Sequence, residues 1–124
     1  MIIEEKEFAK YVSEAIDELP KRFQKKTNNL AFFVEDFPTE TQLQKYSKDK
    51  DNNFSLFGLF EGYVQSRRHN FGAVLPDRIT IFRIPIMQSC SNEKELKKRI
   101  SSVVNHEIAH HFGSDEIGAK KAEK

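Results

Sequence analysis

Apolar residues near the start of the chain recur at helical spacing. Within residues 4–19 they are Phe8, Val12, Ala15, Ile16 and Leu19. Side chains at this spacing share one face of an α-helix, and Pro20 follows where such a helix should end. The pattern predicts an amphipathic helix over residues 4–19.

Three later apolar segments have the length and composition of β-strands, namely residues 30–34, 54–60 and 78–84. Pro38 follows the first segment and Pro85 closes the third, while Gly58 marks a bulge or a close approach of the backbone in the second. The polar residues 39–53 between the first two strands predict a loop, with residues 48–53 as its most exposed part.

A second long helix is predicted near the end of the chain, over residues 92–112. Asn92 can cap its first turn, with Glu95 reaching back from the third helical position, and Gly113 can end it. The buried stripe of this helix is formed by Leu96, Ile100, Val103 and Val104. The order helix, strand, strand, strand, helix predicts an α+β fold, in which a small mixed β-sheet packs against an N-terminal and a C-terminal helix.

Length and composition narrow the class of protein. The 124 residues carry a net charge of +1 and suit one domain over residues 1–124. This charge gives no reason to expect a nucleic-acid partner, and no apolar run or basic leader predicts a membrane span or a secretory signal. Cys90 is the only cysteine, which agrees with a reducing compartment. We therefore expect a cytoplasmic protein that binds neither nucleic acid nor membranes.

The predicted C-terminal helix contains the sequence His106-Glu107-Ile108-Ala109-His110. Two histidines four residues apart lie one turn above the other, so that both imidazoles can bind one metal ion. Glu107 is rotated out of the ligand set and can accept a proton from water at the metal. The alternative is an incidental pair on a solvated helix face, but the pair lies at the edge of the buried stripe rather than opposite it. The spacing favours a zinc-hydrolase helix.

A catalytic zinc ion needs a third protein ligand and keeps its fourth position for water. Gly113 can reverse the chain after the helix and carry Asp115 or Glu116 back towards the two histidines. Either acid could instead complement the dipole of a short following helix. From the residues alone, one of the two acids is expected to be a ligand.

Residues 106–116 resemble the zincin metallopeptidases of the Asp-zincin type, and more narrowly the small minimal-zincin family of possible zinc metallopeptidases. The family pattern is His-Glu-x-x-His-x-x-Gly-x-x-Asp, often with the Ile-Ala-His-His-Phe-Gly core found here at residues 108–113. Residues 56–62 and 75–83 also resemble family segments, and the resemblance extends over residues 8–117.

The resemblance implies zinc ligands at His106, His110 and Glu116 and a general base at Glu107. Glu116 stands where the family has Asp and is one methylene longer, which leaves Asp115 as the alternative ligand. The implied activity is hydrolysis of peptide bonds in a peptide or protein substrate. Zincins align the substrate against a sheet edge beside this helix, and residues 54–60 and the early part of residues 78–84 are both candidates for that edge.

A second hypothesis follows from the eight residues after Glu116. They are too few to form the second wall of a substrate cleft, and a cleft normally buries most of its ligand. The chain could therefore be a catalytically weak or inactive zincin-fold binding or regulatory module, in which a partner protein completes the cleft. A purely structural metal site is a weaker third hypothesis, because it gives Glu107 no role.

Overall fold

A computed structural model describes residues 2–24, 30–46, 56–62 and 77–111 of the protein. These residues form five helices and three strands: α1 (Glu5–Asp17), α2 (Lys21–Gln24), β1 (Leu30–Glu35), α3 (Glu40–Tyr46), β2 (Gly58–Glu61), β3 (Asp77–Phe82), α4 (Arg83–Gln88) and α5 (Glu93–His111). The predicted α+β class is confirmed. No helix in this described part is long and apolar enough to cross a membrane.

The three strands form one mixed sheet in the order β1-β3-β2. β1 runs parallel to β3, with Phe32 opposite Ile79, and β2 runs antiparallel to β3, with Gly58 opposite Ile81. The central strand β3 follows β1 only after a long stretch of chain, as a parallel neighbour requires. The predicted small mixed sheet is therefore present.

The two long helices and the sheet share one hydrophobic core. Ile79 and Ile81 of β3 are fully buried and belong to the same cluster as the apolar stripes of α1 and α5. The α1 stripe agrees with the prediction, since Phe8, Val12 and Ala15 are all buried. Burial of each large apolar side chain contributes roughly 1.5–3 kcal/mol, so this cluster fixes how the two helices sit on the sheet.

The polar stretch after β1 was predicted to be a loop, and this prediction is wrong for residues 40–46, which form α3. Two reciprocal bonds begin the helix: the Thr39 N–H donates to Gln42 Oε1 at 2.9 Å, and the Gln42 N–H donates to Thr39 Oγ1 at 3.1 Å. This is a capping box, which stabilises the first turn without an apolar stripe. Residues 48–53 lie outside the described residues.

Two strand boundaries also differ from the prediction. β3 ends at Phe82 rather than at residue 84, and Pro85 lies in the first turn of α4 instead of ending a strand. Proline fits there because the N–H groups of a first turn have no partner within the helix. The second strand was predicted over residues 54–60, whereas β2 runs from Gly58 to Glu61. Residues 54 and 55 lie outside the described part of the chain.

The side chain of Arg83 joins the N-terminal segment to the end of β1. Its Nη1 donates to the Ile3 carbonyl oxygen at 2.6 Å, and its Nε donates to Asp36 Oδ1 at 2.8 Å. The hydrogen bond from Arg83 holds the pKa of Asp36 below its usual range. These bonds tie α4 to both segments.

Asn92 caps α5 as predicted, because its Oδ1 accepts a hydrogen bond from the Glu95 N–H at 2.8 Å. Replacing Asn92 with Ala is expected to lower the free energy of unfolding by about 1 kcal/mol, since a helical N–H loses its acceptor. Urea denaturation measures this loss. Ser91→Ala is the control, because Ser91 is an exposed neighbour outside the helix. Equal losses in both variants would contradict a role for the cap.

Candidate metal centre and active site

The His-Glu-x-x-His sequence lies in the last turns of α5 and spans the boundary between its buried and exposed faces. The buried stripe of the helix comprises Leu96, Ile100, Val103, Val104 and Ile108. His106 is exposed, whereas the next residue, Glu107, is only 7% exposed. Successive helical residues are about 100° apart, so these neighbours lie on either side of the boundary.

The structure describes part of the predicted site. His106 and Glu107 are adjacent on α5, and His110 lies one turn further along the same helix. The side chain of His110, and the whole of Asp115 and Glu116, lie outside the described residues. Within the described ranges, no three His, Cys, Asp or Glu side chains form a group that could hold a metal ion. The predicted ligand set therefore stays a prediction.

His106 lines an open groove of about 1080 Å³ between α1 and α5. One wall belongs to α1 and carries the carboxylates of Glu14 and Asp17, with Glu18 just beyond the helix, and the other belongs to α5. The α5 residues that line the groove are Lys97, Lys98, Ser101, Ser102, Asn105 and His106. The groove thus leads along α5 to the first histidine of the motif, between an acidic wall and a partly basic wall.

Glu107 lies on a neighbouring face of α5, against β2. A Cβ atom placed on Gly58 would lie 3.0 Å from Glu107 Cγ and 2.7 Å from Val103 Cγ1. Both distances are shorter than ordinary van der Waals contact, which is about 3.5–4.0 Å between carbon atoms. The predicted close approach of the backbone at Gly58 is therefore confirmed, and the element it approaches is the helix that carries the motif.

β2 is the strand of the described sheet that lies at an edge and also packs on α5. β3 pairs with β1 on one side and β2 on the other, so its backbone groups are used within the sheet. The prediction that the early part of residues 78–84 could form the substrate edge is therefore wrong. When a strand pairs with neighbours on both sides, its backbone N–H and C=O groups are already hydrogen-bonded, and a peptide cannot add to it as a further strand.

A cluster around Tyr11 joins α1 to the start of α5. The Tyr11 hydroxyl lies within hydrogen-bond distance of Glu7 Oε1, at 2.9 Å, and of Glu93 Oε1. Lys97 Nζ lies 4.9 Å from the centre of the tyrosine ring and 4.0 Å from Glu93 Oε1. The hydrogen bond to Glu93, followed by burial, raises the pKa of Tyr11 well above its ordinary value.

This cluster was not predicted from the sequence. The sequence does contain one indication of the contact between Tyr11 and Glu7. Tyr11 lies on the apolar stripe of α1 with Glu7 one turn before it, and a buried hydroxyl needs a hydrogen-bond partner. The contact with Glu93, 82 positions away, depends on how α1 and α5 pack. The cluster therefore joins the two walls of the groove that His106 lines.

A His-Glu-x-x-His helix packed on a small mixed sheet is an arrangement that metal-dependent peptidases use. The family model described as zincin-like metallopeptidase matches residues 27–122, and the chain therefore belongs to that family. The predicted resemblance is confirmed, although the match begins after α1 and α2, which the prediction had partly included. Family membership implies a metal cofactor, typically zinc. A comparison with curated proteins finds no significant match.

Proposed function

We propose that the protein is a zinc-dependent metallopeptidase that hydrolyses peptide bonds, with Glu107 as its general base. The observation that carries the proposal is the packing of α5 directly against β2, an edge strand of the described sheet, at Glu107. A proton acceptor and a strand that can bind an extended peptide then lie side by side.

The zinc ligands in this proposal are His106, His110 and Glu116, with Asp115 as the alternative to Glu116. Two imidazoles and one carboxylate are a donor set that suits catalytic zinc, and His106 is exposed to solvent. A zinc ion bound there would supply the Lewis acidity that activates water and polarises a peptide carbonyl.

Glu107 performs the proton transfers. Its carboxylate accepts a proton from the attacking water and then donates it to the nitrogen of the leaving amine. The side chain is confined between α5 and β2, so its carboxyl group is restricted before the substrate arrives. Such restriction favours catalysis, because the base does not have to be ordered during the reaction.

The substrate in this proposal adds to β2 as a further strand. Among the described strands, β3 is the only neighbour of β2, which places β2 at one edge of the described sheet. An extended peptide can pair with such an edge through main-chain hydrogen bonds. This orientation brings the peptide past the end of α5 that carries the motif.

The second candidate function is a binding or regulatory module whose cleft a partner protein completes. The open groove beside His106 favours it, because an open surface buries less of a peptide than a closed cleft does. A protein that cleaves short peptides as a monomer, without added partner, would contradict this second function and support the first.

Replacing His106 with Ala is expected to remove most of the bound zinc, because the first of two imidazole ligands is lost. When both proteins are purified without chelator, the wild-type protein should contain about one zinc per chain and the His106→Ala variant almost none. Elemental analysis measures the zinc content. Asn105→Ala is the control, since Asn105 is the exposed neighbour on the same helix. A wild-type protein that takes up no zinc on titration would overturn the proposed function.

A further inference from the structure

Gly58 occupies the point where β2 passes closest to the candidate base. A Cβ atom there would lie 3.0 Å from Cγ and 3.5 Å from Cδ of Glu107, the second of which is the carboxyl carbon. The cross-strand partner of Gly58 is Ile81, which is fully buried. Cross-strand partners project from the same face of a sheet, so the missing side chain of Gly58 would have pointed towards α5.

Position 58 requires glycine because there is little space for a side chain, and not because of its backbone conformation. The φ angle of Gly58 lies outside the left-handed region, so an alanine could adopt this backbone. The obstacle to a larger residue is the pair of α5 side chains, Val103 and Glu107, that fill the volume beside the strand. Glycine in a strand often marks such a close approach.

We propose that Gly58 is a positioning residue for Glu107, because its missing side chain leaves the volume that holds the Glu107 carboxylate beside β2. This inference rests on the proposed function, in which Glu107 is the base. A methyl group at position 58 would displace Cγ of Glu107 by a few tenths of an ångström and move the attached carboxyl group with it. Displacements of about 1 Å at a reacting group can lower rates by about 10²-fold.

A purely structural role for Gly58 makes a different prediction. The shorter contact, 2.7 Å, is with Val103 Cγ1, and it governs how closely α5 packs on the sheet. If this contact alone explained the glycine, then removing the valine methyl groups would allow alanine at position 58 without further effect. The two roles can therefore be separated in a Val103→Ala background.

The experiment compares Gly58→Ala, Val103→Ala and the double variant Gly58→Ala/Val103→Ala. In the double variant, kcat for a fluorogenic peptide should be about 10–100-fold lower than in Val103→Ala alone, while KM and zinc affinity change by less than about twofold. The thermal midpoint of the double variant should equal or exceed that of Gly58→Ala, because the contact at 2.7 Å is removed. If Gly58→Ala alone fails to fold, the double variant carries the test.

Gly62→Ala is the matched control. A Cβ atom at Gly62 meets Phe60 Cζ at 3.0 Å and Phe60 Cε2 at 3.2 Å, so its crowding is similar but involves no residue of α5. A second measurement is independent of activity: the side-chain carboxyl ¹³C resonance of Glu107 in the zinc-free protein. This resonance should shift when alanine is introduced at position 58. In Gly62→Ala it should stay close to its wild-type position.

Two results would overturn the inference. The first is a double variant with the kcat of Val103→Ala, and the second is an unchanged Glu107 carboxyl resonance. Failure of the proposed function is distinguishable from both, because it appears in the wild-type protein as absence of zinc binding or of peptide hydrolysis. In that case the resonance of Glu107 still decides whether Gly58 places its side chain.

Discussion

Replacing Glu107 with Gln is expected to lower the rate of peptide hydrolysis by about 10²–10⁴-fold, because an amide cannot accept the proton of the attacking water. Gln has nearly the same shape as Glu and fits the narrow volume beside Gly58. The proposed zinc ligands are untouched, so the zinc content should remain at about one per chain. Steady-state kinetics on a peptide library, together with elemental analysis of the same samples, measures both quantities.

The control is Glu95→Gln, which makes the same chemical change near the beginning of α5, about three turns from the motif. It should leave both hydrolysis and zinc content unchanged. Cleavage that persists in Glu107→Gln at the wild-type rate would show that another protein in the preparation is responsible. Loss of zinc together with activity in Glu107→Gln would instead place Glu107 among the ligands and contradict its role as base.

Replacing Phe8 with Ala is expected to lower the free energy of unfolding by about 3–5 kcal/mol. The side chain of Phe8 is completely buried within the cluster that joins α1, α5 and the sheet. Truncation removes its apolar area from the core and leaves a cavity that rigid neighbours fill only in part. Because small domains are stable by only about 5–15 kcal/mol, the urea midpoint should fall steeply.

Phe37→Ala is the matched control, since Phe37 is 62% exposed and undergoes the same truncation. Its free energy of unfolding should change by less than about 0.5 kcal/mol. Should Phe8→Ala prove unfolded, Phe8→Leu retains part of the buried area and is expected to show a smaller loss. Similar losses in Phe8→Ala and Phe37→Ala would contradict the assignment of Phe8 to the core.

The elements that were predicted correctly have strong local signals. α1 combines an apolar stripe with a following proline, and α5 combines an apolar stripe with the Asn92 cap. Local periodicity suffices in these two cases because each helix buries a continuous face. α3 was missed since it is polar, although its Thr39-x-x-Gln42 capping box was present in the sequence.

The C-terminal end of β3 was placed too late for a related reason. Ile84 follows Arg83 as a further apolar residue of the predicted strand, and a proline directly after it, Pro85, is typical of a strand end. The chain enters α4 at Arg83, where the Arg83 side chain bonds Asp36 and the Ile3 carbonyl. Those partners are 47 and 80 positions away, and no local pattern indicates them.

The sequence by itself determined the α+β class, the family and the helix that carries His106 and Glu107. The class and the helix follow from spacings within short segments, since a helix fixes the relative positions of residues one turn apart. The family follows from the resemblance of residues 106–116 to its motif. Only the tertiary structure decided that β2 lies at an edge of the described sheet beside α5, that Gly58 lies close against Glu107, and that a groove between α1 and α5 leads to His106. Each of these depends on the packing of segments far apart in the chain, which the hydrophobic core sets and local spacing does not.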